Sequence, residues 1–298
     1  PLTAYALAAI YAEAGVPPGV VNVLTTSTPG PVVGAMLDDP RTRKLSFTGS
    51  TRVGRMLLAE AARSVLSCSM ELGGNAPFIV FDDADLEAAL DGAMVAKMRN
   101  AGEACTAANR FYVQRGIYDR FARGLAERMA ALKVGPGLAP DTACGPMITK
   151  AAVDKIDRLV TDAVAHGARV LIGGRRPGGP GFFYPPTVLA DVAPASRILH
   201  EEIFGPVAPL IPFDTAEEAI AAANDTEYGL ISYVYTADLK RGLEVAGRIE
   251  SGMVGLNRGL ASDPAAPFGG VKQSGIGREG GAHGIFEFME PKYIATTF

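Results

Sequence analysis

The sequence predicts an α/β chain built on a parallel sheet, and three observations carry that reading. Short apolar runs of strand type alternate with amphipathic runs of helical period along most of the chain. Glycine-containing turns punctuate the alternation, with 35 Gly in 298 residues. Composition is that of a globular chain, 48% hydrophobic and 20% charged, enough for one large domain or two medium ones.

In order, Leu2–Ala14 reads as an Ala-rich helix that Gly15 and the Pro17–Pro18 pair stop. Val20–Leu24 reads as a short strand, Val32–Leu37 as a helix and Lys44–Phe47 as a strand. A helix follows the Gly49 turn, from about Arg52 to Arg63, and Ser67–Leu72 is a further strand. Ala76–Phe81 is a continuous apolar strand ended by Asp82–Asp83, with a helix over Leu86–Arg99. A strand around Tyr112–Val113 leads to a helix at Tyr118–Ala131 and another at Ala151–His166. Then come strand Arg169–Ile172, strand Val207–Phe213, helix Ala216–Asn224, strand Ile231–Tyr235 and helix Leu239–Ile249. The Gly-rich tail from Gly252 ends in a strand-like Tyr293–Phe298. A unit boundary is expected near Gly73–Gly74.

Charge and cysteine usage exclude several classes. A net charge of −4, with Lys and Arg scattered, gives no field to attract nucleic acid. No apolar run reaches the roughly 20 residues that span a bilayer, and no signal segment opens the chain. Cys68, Cys105 and Cys144 form no CxxC pattern, and His166, His200 and His283 show no zinc spacing, so no metal is expected. An odd cysteine count without pairing signals fits a reducing cytoplasm. The first residue is Pro1, which fits processing or a piece of a longer protein.

Three stretches carry candidate chemistry. Phe47-Thr48-Gly49-Ser50-Thr51-Arg52-Val53-Gly54 lies between a strand and a helix. Glycine there admits a ligand close to the backbone, and the N–H groups of a helix start attract phosphate; an ordinary N-cap has the same sequence. Asn100-Ala101-Gly102-Glu103-Ala104-Cys105-Thr106 places one Cys in a polar loop. Arg99, Arg110 and a possible helix start nearby would lower its pKa, against the alternative of an inert thiol. Met70-Glu71-Leu72-Gly73-Gly74-Asn75-Ala76-Pro77 sets a carboxylate at a strand end under an open turn, where it is either a base for water or a surface Glu.

Taken in order along one α/β framework, these stretches resemble the NAD(P)-dependent aldehyde dehydrogenase superfamily. Phe47–Gly54 resembles its cofactor turn, Glu71–Pro77 its Glu signature and Asn100–Arg110 its Cys signature, with the interval from Glu71 to Cys105 that the family has. Glu201-Glu202-Ile203-Phe204-Gly205-Pro206 resembles its nicotinamide-side motif, and Pro267–Gly275 with Gly277-Arg278-Glu279 its C-terminal signature. The resemblance implies that Cys105 is the nucleophile and Glu71 the base for hydrolysis. It implies that Cys105 N–H forms half of an oxyanion hole. It assigns Gly49, Ser50, Thr51 and Val53 to the pyrophosphate and adenine end of NAD or NADP. Leu72 and Glu202 fall to the nicotinamide and its ribose, and Phe204 to the ring face, where a plain core role is the alternative. The expected partner is a small aldehyde.

Within the superfamily the chain resembles succinate-semialdehyde dehydrogenases. Arg99, six residues before Cys105, matches their carboxylate-gripping arginine, a role suited to a guanidinium fork; a salt-bridge arginine is the alternative. Ser262, in Asn257-Arg258-Gly259-Leu260-Ala261-Ser262, matches their substrate-loop serine. Two positions depart. Ala107 stands where some relatives carry a second cysteine, and Arg258 puts a charge in the substrate loop, which keeps glutarate semialdehyde open.

The implied organisation is an aldehyde-dehydrogenase-like fold: part of a Rossmann-type cofactor domain (1–72), an α/β catalytic domain (73–257), and a segment (258–298) returning to the cofactor domain and ending in an oligomerisation strand. Homodimers or homotetramers are expected of the full-length protein. The resemblance covers roughly the C-terminal three fifths of a family chain, so this polypeptide alone is expected to be weak or inactive. Rival readings are a non-catalytic protein on the same scaffold, a cysteine hydrolase, which needs a His beside the thiol, and a phosphorylating dehydrogenase, against which Glu71 argues.

Overall fold

The computed structural model describes residues 1–297. The chain divides into two compact units, Pro1–Leu45 with Leu58–Ser67, and Ser46–Leu57 with Cys68–Phe298.

The smaller unit holds helix α1 (Leu2–Glu13), helix α2 (Pro29–Asp38) and the start of strand β1 (Lys44–Thr48). Pro29 opens α2, where its missing N–H costs no helical bond. The strand expected at Val20–Leu24 does not form. Val20 and Leu24 stand about two-thirds exposed, and an extended run without a partner strand in the described residues has no ladder to join.

The larger unit begins with the rest of β1, helix α3 (Thr51–Ala62) and strand β2 (Ser67–Glu71), which straddle the division. It continues through strand β3 (Ala76–Val80), helix α4 (Leu86–Met98), strand β4 (Ala108–Gln114), helix α5 (Arg115–Ala130) and helix α6 (Lys150–Ala165). Strands β5 (Arg169–Ile172), β6 (Thr187–Ala190) and β7 (Val207–Phe213) follow, then helix α7 (Ala216–Asn224). The last elements are β8 (Tyr228–Gly229), β9 (Ile231–Tyr235), helix α8 (Leu239–Arg248), β10 (Met253–Leu256), β11 (Val271–Lys272) and β12 (Gly275–Ile276).

Seven strands make one sheet in the order β10-β9-β3-β4-β7-β6-β5, parallel throughout except for β5 on β6. Parallel neighbours need crossovers: α4 joins β3 to β4, and α8 joins β9 to β10. β3 and β9 are buried along their whole length, which is why they read as unbroken apolar runs. Phe78 of β3 packs at the centre, its ring 5.2 Å from Phe111, 5.7 Å from Tyr233 and 5.0 Å from Tyr235. Side-chain caps fix the helix starts: Asp85 accepts from Ala88 N–H, Asp238 from Lys240 and Arg241 N–H, and Thr215 forms a capping box with Glu218.

A second sheet, β1-β2-β12, is closed by the C-terminal segment, with Gly275 opposite Glu71 and Ile276 opposite Met70. Strands β6 and β10, unread in the sequence, extend the main sheet at opposite sides. The expected terminal strand does not form over its described part, 293–297, where no other strand lies alongside, and Phe298 lies outside the described residues.

Candidate active site

Three loops enter three adjacent strands. The Glu71–Asn75 loop runs into β3, the Arg99–Ala107 loop into β4 and the Glu201–Pro206 loop into β7. Because β3, β4 and β7 are neighbours and parallel, their entrances lie at one edge of the sheet. That topology gathers motifs far apart in sequence. The result is a cavity of about 580 Å³ lined by Gly49, Ser50, Glu71, Leu72, Arg99, Cys105, Thr106, Glu202, Phe204 and Ser262, together with Lys155 and others.

Glycine permits the approach of the first two loops. A Cβ on Gly74 would lie 2.3 Å from the Cys105 carbonyl oxygen, so only glycine lets the Glu71 loop rest on the nucleophile's backbone. Ser274 then fixes that loop: its hydroxyl donates to Gly73 C=O at 2.7 Å and accepts from Gly229 N–H at 2.9 Å, while its carbonyl accepts from Leu72 N–H. The second loop is strained. Asn100 and Ala101 sit at φ 50° and 53°, and such left-handed non-glycine residues cost about 1–3 kcal/mol each. Asn100 Nδ2 donates to Glu103 C=O at 3.0 Å and helps to hold the turn.

Glu71 is buried, 5% exposed, and its Oε2 has no hydrogen-bond partner. Burial lifts its pKa to about 7, the nearby Glu279 pushes the same way, and Arg278 opposes both. An orphaned, buried carboxyl oxygen facing a cavity is what a base for water or thiol requires.

The thiol departs from expectation. Burial pushes the Cys105 pKa up, and the charges of Glu202 and Glu71 add to the rise; the N–H groups of Cys105 and Thr106 oppose it. The expected cationic activation is absent. Arg110 turns away into the interior, donating to the carbonyls of Asn75, Ala222 and Ala223. No helix starts at Cys105, since the chain passes by a turn into β4. Cys68 and Cys144 lie outside the cavity lining.

Arg99 and Ser262 both reach the cavity wall. Arg99 Nη2 donates to Thr106 Oγ1 at 2.8 Å, and among the described residues its guanidinium forms no ion pair. Phe204 lines the cavity, held at φ 54°, so it is a wall residue rather than plain core. Glu202 accepts from Gly74 N–H at 3.0 Å; burial raises its pKa against the lowering pull of that N–H, Lys155 and Lys97. Ser50 serves as the N-cap of α3, accepting from Val53 N–H at 3.4 Å, and lines the cavity as well. Thr51 and Val53 stand off the lining. The Thr51 hydroxyl is occupied with Gly73 N–H at 3.2 Å and Gln273 C=O at 3.2 Å.

Sequence reading missed Lys97 and Lys155. Lys97 is fully buried, donating to Asn109 Oδ1 at 3.0 Å and Gly205 C=O at 3.1 Å, and burial depresses its pKa to about 7. Beside Arg99 it reads as part of an ordinary basic surface. Lys155, on α6, reads as a solvated helix charge but lines the cavity. No cluster of potential metal ligands occurs among the described residues.

A parallel α/β sheet that brings one cysteine and one buried carboxyl to the wall of a single cavity defines a scaffold for covalent thiol chemistry. The aldehyde dehydrogenase family model matches residues 1–294, and the chain belongs to that family. It is 55% identical to a succinate-semialdehyde dehydrogenase of Paenarthrobacter nicotinovorans over 99% of this chain and 65% of that protein. It is 50% identical to a glutarate-semialdehyde dehydrogenase of Pseudomonas putida, covering 99% and 61%. Among solved structures, an E. coli NADP-dependent enzyme superposes with a TM-score of 0.96 at 49% identity, covering 99% of this chain and 61% of the other. The chain thus spans under two thirds of the length of these relatives. None of its described helices is long and apolar enough to cross a membrane.

Proposed function

We propose that the protein carrying this chain oxidises an aldehyde with a distal carboxylate, succinate semialdehyde first, to the dicarboxylate, using NAD or NADP. The observation that carries this reading is the shared wall of Cys105, Glu71 and Arg99 in one cavity. Relatives acting on succinate and glutarate semialdehydes support the substrate class.

The residues present fit a nicotinamide dinucleotide. The Gly49–Ser50 turn ahead of α3 suits phosphate. A Cβ on Gly73 would lie 3.0 Å from the Tyr228 ring and 3.2 Å from the Glu202 carboxyl, so glycine keeps a cradle open there. Glu202 and Lys155 offer polar partners for a ribose, and Phe204 a face for a ring. The bound cofactor supplies the hydride acceptor.

The chain's own residues do the rest. Arg99 anchors the distal carboxylate and sets the aldehyde carbon beside Cys105. The Cys105 thiol gives its proton to the Glu71 carboxylate, which returns it to solvent, and its sulfur adds to that carbon to give a thiohemiacetal oxyanion that the Cys105 N–H stabilises. Loss of hydride leaves a thioester on Cys105. Glu71, with a pKa of about 7, takes a proton from water; the water oxygen adds to the thioester carbon, and the thiolate leaves. The division into cofactor part (1–72), catalytic part (73–257) and returning segment (258–298) belongs to the same reading, supported by the pairing of β12 with β2.

The test uses the whole protein. Succinate semialdehyde with NAD or NADP is expected to produce reduced nicotinamide, and C105S to abolish it. Full activity in C105S would overturn the mechanism. Activity confined to aldehydes lacking a carboxylate would overturn the substrate class.

A further inference from the structure

Resting on the reading of Arg99 as carboxylate anchor, the geometry points to Thr106 as a specificity-determining residue that aims the Arg99 guanidinium for substrates with a distal carboxylate. Arg99 follows directly on α4, where the chain leaves the helix at ψ 127°, so its own backbone gives its long side chain no helical neighbour to lean on. The side chain's one hydrogen bond within the described residues runs from Nη2 to Thr106 Oγ1 at 2.8 Å. That leaves four of the five guanidinium N–H groups for a ligand.

The acceptor is itself immobile. Thr106 is 3% exposed, and a β-branched side chain has few χ1 choices. Its carbonyl accepts from the Tyr233 hydroxyl at 2.8 Å, and Tyr233 is buried in the main sheet on β9. Thr106 is also bonded directly to Cys105. The guanidinium is therefore registered to the sulfur through one peptide link and one hydrogen bond. A ligand reaching from sulfur to guanidinium meets a preset span, and the Arg rotamers are restricted before binding, which improves affinity without a new contact to the ligand.

Among the described residues no carboxylate pairs with the guanidinium, so its charge is available to an incoming one. Valine at this position nearly matches threonine in shape while removing the acceptor. The position thus tunes selectivity separately from the thiol chemistry.

Alkylation of Cys105 reads this out in the chain itself, without cofactor or turnover. Iodoacetate carries a carboxylate and iodoacetamide does not, and peptide mass spectrometry follows Cys105 apart from Cys68 and Cys144. The readout is the iodoacetate-to-iodoacetamide rate ratio at Cys105. R99Q is expected to lower the ratio, and T106V and T106A to lower it about fivefold, the worth of one aimed hydrogen bond, with T106S restoring it. Loosening of the loop would change both rates together and leave the ratio in place. A ratio that falls in R99Q but holds in T106V and T106A would overturn the role of Thr106 and leave the anchor intact. A ratio indifferent to R99Q would overturn the anchor and, with it, this inference.

Discussion

Burial that keeps Glu71 near a pKa of about 7 works against the fold as well as for chemistry. The native value lies above the ordinary carboxyl value of 4.5, so the fold favours the protonated form. Below about 4.5 the group is protonated folded or unfolded and costs nothing. As pH rises through the window from about 4.5 to about 7 stability is lost, and above it the full cost applies. E71Q is therefore expected to stabilise the chain by up to roughly 3 kcal/mol above neutrality and little in acid, seen as a denaturation midpoint that no longer falls with pH. An E71Q midpoint that declines with pH as the parent's does would remove the carboxyl from this role. In the whole protein the same substitution is expected to slow thioester hydrolysis by about 10²–10⁴-fold, with thioester accumulating on Cys105. The thiol responds to burial and to neighbouring carboxylates in the same sense. Glu202 and Glu71 hold its pKa up by their charge, so E202Q is expected to move the alkylation profile of Cys105 to lower pH. A profile that stays or moves upward would remove the Glu202 charge from the groups that set the thiol.

Loops rather than strands carry the chemistry, and the register of the sheet decides which loops meet. Alternating strand and helix patterns were readable because each element obeys its own period: Ile231–Tyr235 and Ala216–Asn224 stand at the bounds the sequence indicates. Adjacency was not readable. That β3, β4 and β7 lie side by side depends on the whole chain, so the sequence alone offered Glu71 and Cys105 as separate candidates, and Glu202 entered only with the family resemblance. Lys97 was invisible for the same reason, since its burial follows from the loop of β7 folding over α4. A run of hydrogen bonds links Glu202 to Gly74 N–H, Gly74 C=O to Asn109 Nδ2 at 3.5 Å, Asn109 Oδ1 to Lys97, and Lys97 to Gly205 C=O. The run begins and ends on the loop that carries Phe204 at positive φ. K97M removes two of its links, so amides of residues 201–205 are expected to exchange about five- to tenfold faster than the parent's. Unchanged exchange there would show that packing alone holds the loop.

At the scale of the molecule, the resemblance read from five motifs agrees with a family match over 1–294. What sequence patterning misjudged were extended segments without neighbours, Val20–Leu24 and the described part of the terminal run, because β-type residues make a strand only where another backbone meets them. The terminal run also leaves apolar surface in water. Ile285 is 60% exposed, Phe286 64%, Tyr293 89% and Ile294 74%, all within one short stretch of chain. Large apolar side chains exposed in one stretch make it a candidate surface for another chain. A second copy is the occupant in keeping with the dimers or tetramers expected from the family resemblance, and an extended terminal run is suited to pairing along a neighbouring sheet edge. Sedimentation of the whole protein at micromolar concentration is expected to show an oligomer, and F286E with I294E to shift it toward the monomer, because each glutamate would carry a charge into the covered surface. A parent protein that sediments as a monomer across that range, or an oligomer indifferent to both substitutions, would place the contact elsewhere and leave this apolar stretch without a partner.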